Sequence, residues 1–180
     1  MRRFCKIFEQ MDVVPLLNAL AAKPHLWNQN SLRTTFPGSP HAACDDIWLF
    51  FNDVPDDETA VIDDIAVRSY PAWQELPQAR HLVFDLMRRV EGVQLGRVLI
   101  TRLAPGNSIP EHADQGAPAE FYQRYQIALQ SLPGCAFQIG DEAVNFRIGE
   151  CWWIDNTAPH SVINNSADDR LALIVDVRTA

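Results

Sequence analysis

Residues 124–177 read RYQIALQSLPGCAFQIGDEAVNFRIGECWWIDNTAPHSVINNSADDRLALIVDV, and the punctuation of this stretch decides the fold. Short runs rich in β-branched and aromatic residues alternate with turn signals: Leu-Pro-Gly at 132–134, Ile-Gly-Asp at 139–141, Ile-Gly-Glu at 148–150 and Asn-Asn-Ser at 164–166. The pattern predicts strands over 125–132, 136–139, 143–146, 151–154, 160–164 and 170–177. Just upstream, VQLGRVLITRL at 93–103 adds a seventh, closed by Ala-Pro-Gly at 104–106. Seven short strands at this spacing predict an antiparallel sandwich or jelly roll.

The texture differs before residue 92. An apolar set at helical spacing, Val13, Leu16, Leu17 and Leu20, predicts a helix capped by Asp12 and stopped by Pro24. A second helix is expected over 78–90, with Leu82, Val83, Leu86, Met87 and Val90 on one face and Gly92 as its stop. Between them DIWLFFND reads as a buried strand, and TAVIDDIAV (59–67) as a second. Helices gathered ahead of the strands pack on one outer face, an α+β layout that is mainly β. The 180 residues suit one domain, with 1–92 as a helix-rich support region and 93–180 as the jelly-roll catalytic core.

Composition narrows the partners. The net charge is −8, which disfavours nucleic-acid phosphates and anionic membrane surfaces as default partners. Four cysteines (5, 44, 135 and 151) form no C-x-x-C pair, so a zinc ribbon and a thioredoxin motif are not expected. Charges interrupt residues 1–25 and no run approaches a membrane span, so the expected setting is cytoplasmic with reduced thiols. Oligomeric state is left open.

The chemistry centres on His112-Ala113-Asp114. In extended chain, residues two apart point the same way, so an imidazole and a carboxylate are offered together. A second imidazole from a distant strand completes the facial set of a non-haem Fe(II) site, with open positions for other ligands. A surface histidine beside a turn aspartate would give the same motif. After His112 the chain has one histidine left, His160, which opens a predicted strand. Arg170 follows ten residues later, and a hairpin of that length would bring it beside His160, one strand over. There its guanidinium could grip a carboxylate in a bidentate fork. His81 reads as structural, next to the buried face of its helix, and His25 as a loop residue. Arg33, Ser39 and His41 lie in a Pro/Gly-rich loop able to cover a pocket. Of Trp152 and Trp153, one is expected to face the barrel and one the helices. Asn156 is explained by turn chemistry alone.

The same stretch resembles the aspartyl/asparaginyl β-hydroxylase family, over about residues 95–178. The resemblance rests on Arg124, Pro133–Cys135, Gly140–Glu142, Gly149–Trp152, Asp155, His160, Asn164, Arg170 and Asp176, in the family's order and spacing. It implies a double-stranded β-helix of cupin-like form, an Fe(II) ion and 2-oxoglutarate as cosubstrate. By it, His112, Asp114 and His160 hold the iron, and Arg170 binds the far carboxylate of 2-oxoglutarate. Arg124 then lies near that cosubstrate or near a substrate carboxylate. It further implies hydroxylation of an amino acid, a peptide side chain or a related small molecule, coupled to conversion of 2-oxoglutarate to succinate. Two departures stand out. Gln126 occupies a position where many members carry His. The carboxylate at Asp114 is missing from the peptide hydroxylases of the family, which brings this chain nearer the small bacterial branch that includes proline cis-hydroxylases. Two other readings of the same residues remain: a non-catalytic cupin-like binding protein, and a different metal-dependent cupin enzyme.

Overall fold

A computed structural model describes residues 3–54 and 63–180. In chain order the elements are β1 (Phe4–Phe8), α1 (Val14–Ala22), α2 (Leu32–Thr35), β2 (Cys44–Phe51), β3 (Arg68–Ser69), α3 (Ala72–Glu75), α4 (Gln78–Arg89), β4 (Gly92–Leu103) and β5 (Ser108–His112). They continue with α5 (Ala117–Phe121), β6 (Gln123–Gln130), β7 (Cys135–Ile139), β8 (Glu142–Val144), β9 (Cys151–Ile154), β10 (His160–Asn164) and β11 (Arg170–Thr179). The strands form two antiparallel sheets, one of seven strands ordered β1-β9-β6-β11-β4-β2-β3 and one of four ordered β5-β10-β7-β8. This is the expected jelly roll. Among the described residues no helix is long and apolar enough to cross a membrane.

Period-two alternation divides the large sheet into two faces. Its outer face carries Ile47, Leu49, Val98, Ile100, Ile127, Leu129, Leu173 and Val175, packed with Leu16 and Leu20 of α1 and Leu82, Val83 and Leu86 of α4. Helix burial on one outer face therefore follows from the sequence pattern. The inner face is more polar. Reading across the register, Asp46 pairs with Thr101 and Thr101 with Ala172, while Asp176 pairs with Arg124. Asp46, Thr101, Gln126, Arg170 and Asp176 are all buried. A row of buried polar side chains facing the other sheet marks the interior of the barrel as a site rather than a plain core. Trp152 and Trp153 divide as expected: the first packs in the barrel cluster with Phe137 and Phe146, the second against the helix-side cluster.

Several local expectations differ from the structure. Helix α1 starts at Val14, with Val13 in the capping position, and Asp12 accepts from the Val14 N–H at 3.2 Å. Helix α4 ends through Glu91, whose φ is 53°, and Gly92 is the first residue of β4 rather than the helix stop. His81 is exposed on α4 instead of lying by its buried face. The expected strand at 59–67 falls partly outside the described residues, and 63–67 forms no strand. Residues 108–112, outside the seven predicted strands, form β5; Pro110 is tolerated there because β5 is an edge strand.

The largest correction concerns Arg170. His160 and Arg170 do not lie on neighbouring strands. β10 pairs with β5 and β7 in the small sheet, whereas β11 pairs with β4 and β6 in the large one. The 165–169 turn crosses between sheets, and Asn164 fixes it. The buried Asn164 amide donates to the carbonyls of Leu103 (2.8 Å) and Asp168 (2.9 Å), and its Oδ1 accepts from Ser166 N (3.1 Å). Gly134 in the β6–β7 turn is pressed against this crossing. Its φ is +106°, and a Cβ there would sit 2.7 Å from the Asn165 carbonyl oxygen.

Candidate metal centre

At one mouth of the barrel the ladder pairs His160 of β10 with His112 of β5. Their ring centroids are 4.3 Å apart. Asp114, two residues past His112, is held by the 154–160 turn: its N–H donates to the Asn156 carbonyl at 2.9 Å, and the Asn156 amide donates to its Oδ2 at 2.9 Å. Asn156 is thus a positioning residue of this carboxylate. Turn chemistry concealed it in the sequence, because its partner is 42 residues away.

Both rings are oriented from behind by backbone carbonyls. His112 Nδ1 lies 2.8 Å from the Pro110 oxygen and His160 Nδ1 2.9 Å from the Ala158 oxygen. A proton on each Nδ1 leaves each Nε2 as a lone-pair donor, the arrangement metal-binding histidines require. His112 Nε2 is buried, has no hydrogen-bond partner among the described residues and lies 3.8 Å from Asp114 Oδ1. Two imidazole nitrogens and one carboxylate oxygen suit a divalent ion of borderline character. Burial holds the His160 pKa below its ordinary value. Burial alone would raise the Asp114 carboxyl, but Arg124, Asn156 and the two histidines outweigh it and keep the group well below the usual carboxylate range. Asp114 is therefore ionised and His160 neutral at neutral pH, as metal ligation requires of each.

A third imidazole is present that the sequence placed only in a covering loop. His41 meets the His112 ring edge-on at 4.9 Å. One nitrogen each from His41 and His112 and one oxygen of Asp114 lie within 4.8 Å of one another; His160 is outside that group and meets it through its ring contact with His112.

The arginines behind the site have distinct roles. Arg124 donates through Nη1 to Asp114 Oδ2, and through Nε and Nη2 to the two oxygens of Asp176, at 2.8 Å each. Burial opposes its charge, but the two carboxylates overcome that and raise its pKa. Arg170 is buried, and its Nη2 donates to Gln126 Oε1 at 2.9 Å. Gln126 thus contacts the arginine that the resemblance assigns to the cosubstrate. Arg170 has no carboxylate within ion-pair distance among the described residues; Asp169 approaches Arg102 instead. A buried guanidinium with only a neutral partner has N–H groups ready to donate to a carboxylate.

Next to Asp114 opens a cavity of about 380 Å³, lined among others by Arg33, Phe36, His41, Phe51, Arg97, Leu99 and Arg124. Ser39 also lines it, so all three residues of the expected covering loop reach the pocket. Arg33 is tied to the buried Asp46 at 2.7 Å. Arg97 was not read from the sequence. It stacks over Phe51 at 4.5 Å, donates to Asn52 Oδ1 at 2.7 Å, and has its pKa pushed down to about 10 by burial. An arginine inside a predicted strand carries no local signal of this kind.

Comparison with known proteins fits this geometry. The profile of the Aspartyl/Asparaginyl beta-hydroxylase family matches residues 42–180. A relative, the L-proline cis-4-hydroxylase of Rhizobium meliloti (strain 1021), is 31% identical over 77 residues, covering 43% of this chain and 28% of that enzyme. The chain thus matches well under half the length of that relative. The viral collagen prolyl hydroxylase of Paramecium Bursaria Chlorella virus-1 shares the fold at a TM-score of 0.55 and 10% identity, over 99% of this chain and 97% of that one. The non-haem α-ketoglutarate-dependent epimerase SnoN from nogalamycin biosynthesis aligns at 0.60 and 14% identity, over 99% and 78%. The family profile spans most of the chain and both strands that carry the paired histidines, and the chain belongs to the aspartyl/asparaginyl β-hydroxylase family.

Proposed function

We propose that this protein is an Fe(II)- and 2-oxoglutarate-dependent dioxygenase that hydroxylates an amino acid, a peptide side chain or a related small molecule. The observation that carries the reading is the His112–His160 ladder pair beside Asp114, with both Nδ1 atoms on carbonyls and the His112 Nε2 unsatisfied. His112, Asp114 and His160 would hold the iron, which together with 2-oxoglutarate supplies the oxidising chemistry when bound.

The chain's own residues do the positioning. Arg170 offers a buried guanidinium to the far carboxylate of 2-oxoglutarate, with Gln126 fixing its orientation. Arg124 uses three of its N–H groups on Asp114 and Asp176 and so orients the carboxylate ligand. Its remaining N–H groups are available to a carboxylate in the cavity it lines. The cavity size suits a small molecule or a single side chain. Phe36, Phe51 and Leu99 exclude water, and Arg97 would meet an anionic group of the substrate. A cytoplasmic setting agrees with four free cysteines and with a ferrous ion.

One of the structures sharing the fold is an epimerase, so the fold alone does not select hydroxylation. The test is a screen of amino acids and short peptides for Fe(II)-dependent succinate formation, with mass analysis of the co-product. Stimulated succinate with a product gaining one oxygen atom supports the reading. Succinate formation with a product of unchanged mass selects an isomerase-type reaction, and 2-oxoglutarate that never binds while metal does selects another metal-dependent enzyme.

A further inference from the structure

The loop between α2 and β2 brings a histidine to the metal site that the three-residue ligand set does not use. His41 Nδ1 and His112 Nε2 are the two imidazole nitrogens that are buried without any hydrogen-bond partner among the described residues. They belong to the two rings in edge-on contact. A nitrogen of His41 joins His112 and Asp114 within a span one ion can bridge. The loop holds His41 there by its backbone: its N–H donates to Ser39 Oγ at 3.1 Å, and its carbonyl accepts from Cys44 N at 2.9 Å at the start of β2. His41 also lines the cavity.

We propose that His41 is a fourth protein donor to the metal in the substrate-free protein. The proposal rests on the metal-site reading above. It also gives the loop a role. Four protein donors leave an octahedral ion two positions, whereas a chelating cosubstrate and oxygen need three. His41 must then withdraw before turnover, and because it borders the cavity, an occupant there is placed to displace it. The loop couples filling of the cavity to opening of the centre.

The test uses the full chain loaded with Zn(II) alone, a redox-inert probe. X-ray absorption at the zinc edge should count three imidazoles in the wild-type protein and two in His41→Ala. Zinc affinity, measured by chelator competition, should fall at least tenfold in His41→Ala and stay unchanged in His81→Ala, an exposed control. Two imidazoles in the wild type, which needs no variant to fold, overturn the proposal. So does zinc affinity in His41→Ala within twofold of wild type. If His112→Ala and Asp114→Ala abolish binding while His41→Ala keeps zinc affinity within twofold of wild type, only the His41 assignment fails. If His112→Ala and Asp114→Ala leave zinc binding intact, the metal-site reading fails with it.

Discussion

Replacing Asp176 by Asn tests whether a residue outside the ligand set holds the centre together. Asp176 is 2% exposed, and its two oxygens accept from Arg124 Nε and Nη2 at 2.8 Å each. Asn keeps the shape but turns one acceptor into an NH2 group facing a guanidinium N–H. Asp176 itself is closed to water, so nothing at its end of the pair compensates. Removing one member of a buried ion pair costs about 3–5 kcal/mol. Arg124 retains Asp114, so the lower end applies, about 3 kcal/mol. In a chain of this size each kcal/mol shifts Tm by roughly 2–4 °C, giving a fall of about 6–12 °C. A local effect should accompany the global one. Asp114 is oriented by the same guanidinium, so loosening it should weaken metal binding roughly 10–100-fold, as losses behind a ligand do. Urea unfolding with chelator present reads the first effect and competition titration with Mn(II) reads the second. An Asp176→Asn protein with the wild-type unfolding midpoint and wild-type Mn(II) affinity would refute the reasoning.

Arg170→Met should weaken 2-oxoglutarate binding to the Mn(II)-loaded protein at least thirtyfold, since truncating one partner of a buried charged hydrogen-bonded pair costs about 2 kcal/mol or more; equilibrium dialysis with an unchanged dissociation constant would contradict it. At pH 8 one thiol, the exposed Cys5, should react with iodoacetamide in the native protein, because Cys44, Cys135 and Cys151 are buried, with burial pushing Cys44 up to about 11 and Cys151 higher. Rapid labelling of more than one site by mass spectrometry would count against this packing. Burial holds His41 neutral, with its pKa pushed down to about 2, so below about pH 6.5 the unfolded metal-free chain takes up a proton that the folded one does not. Stability from this residue is therefore complete above pH 6.5 and lost as pH falls, by at most about 1.4 kcal/mol per unit. Denaturation of wild type and His41→Gln at pH 7 and pH 5 should show the shallower loss in the variant, and equal losses would falsify the assignment.

The strands after Gly92 could be read from the sequence because each is bounded by local turn chemistry, and the same holds for α4 with its apolar stripe. His112 and His160 were within reach for a related reason: each sits at a strand end within two residues of a proline. What failed depended on contacts distant in sequence. β5 was missed because Pro110 is tolerated at a sheet edge that only the assembled fold defines. Arg170 was placed beside His160 because a short connection usually joins neighbouring strands, whereas here Asn164 fixes a crossing between sheets. Asn156, Arg97 and the approach of His41 to His112 rest on side chains from separate elements meeting at the barrel mouth. No spacing rule encodes such meetings. The metal side of the site was accordingly more accessible than the substrate side.

The most direct test of the central claim is anomalous diffraction from crystals soaked anaerobically with Mn(II) and 2-oxoglutarate. The account predicts one metal peak about 2.0–2.2 Å from donor atoms of His112, Asp114 and His160, with the cosubstrate's far carboxylate at Arg170. A peak bound elsewhere, or no peak between these three residues, would contradict it.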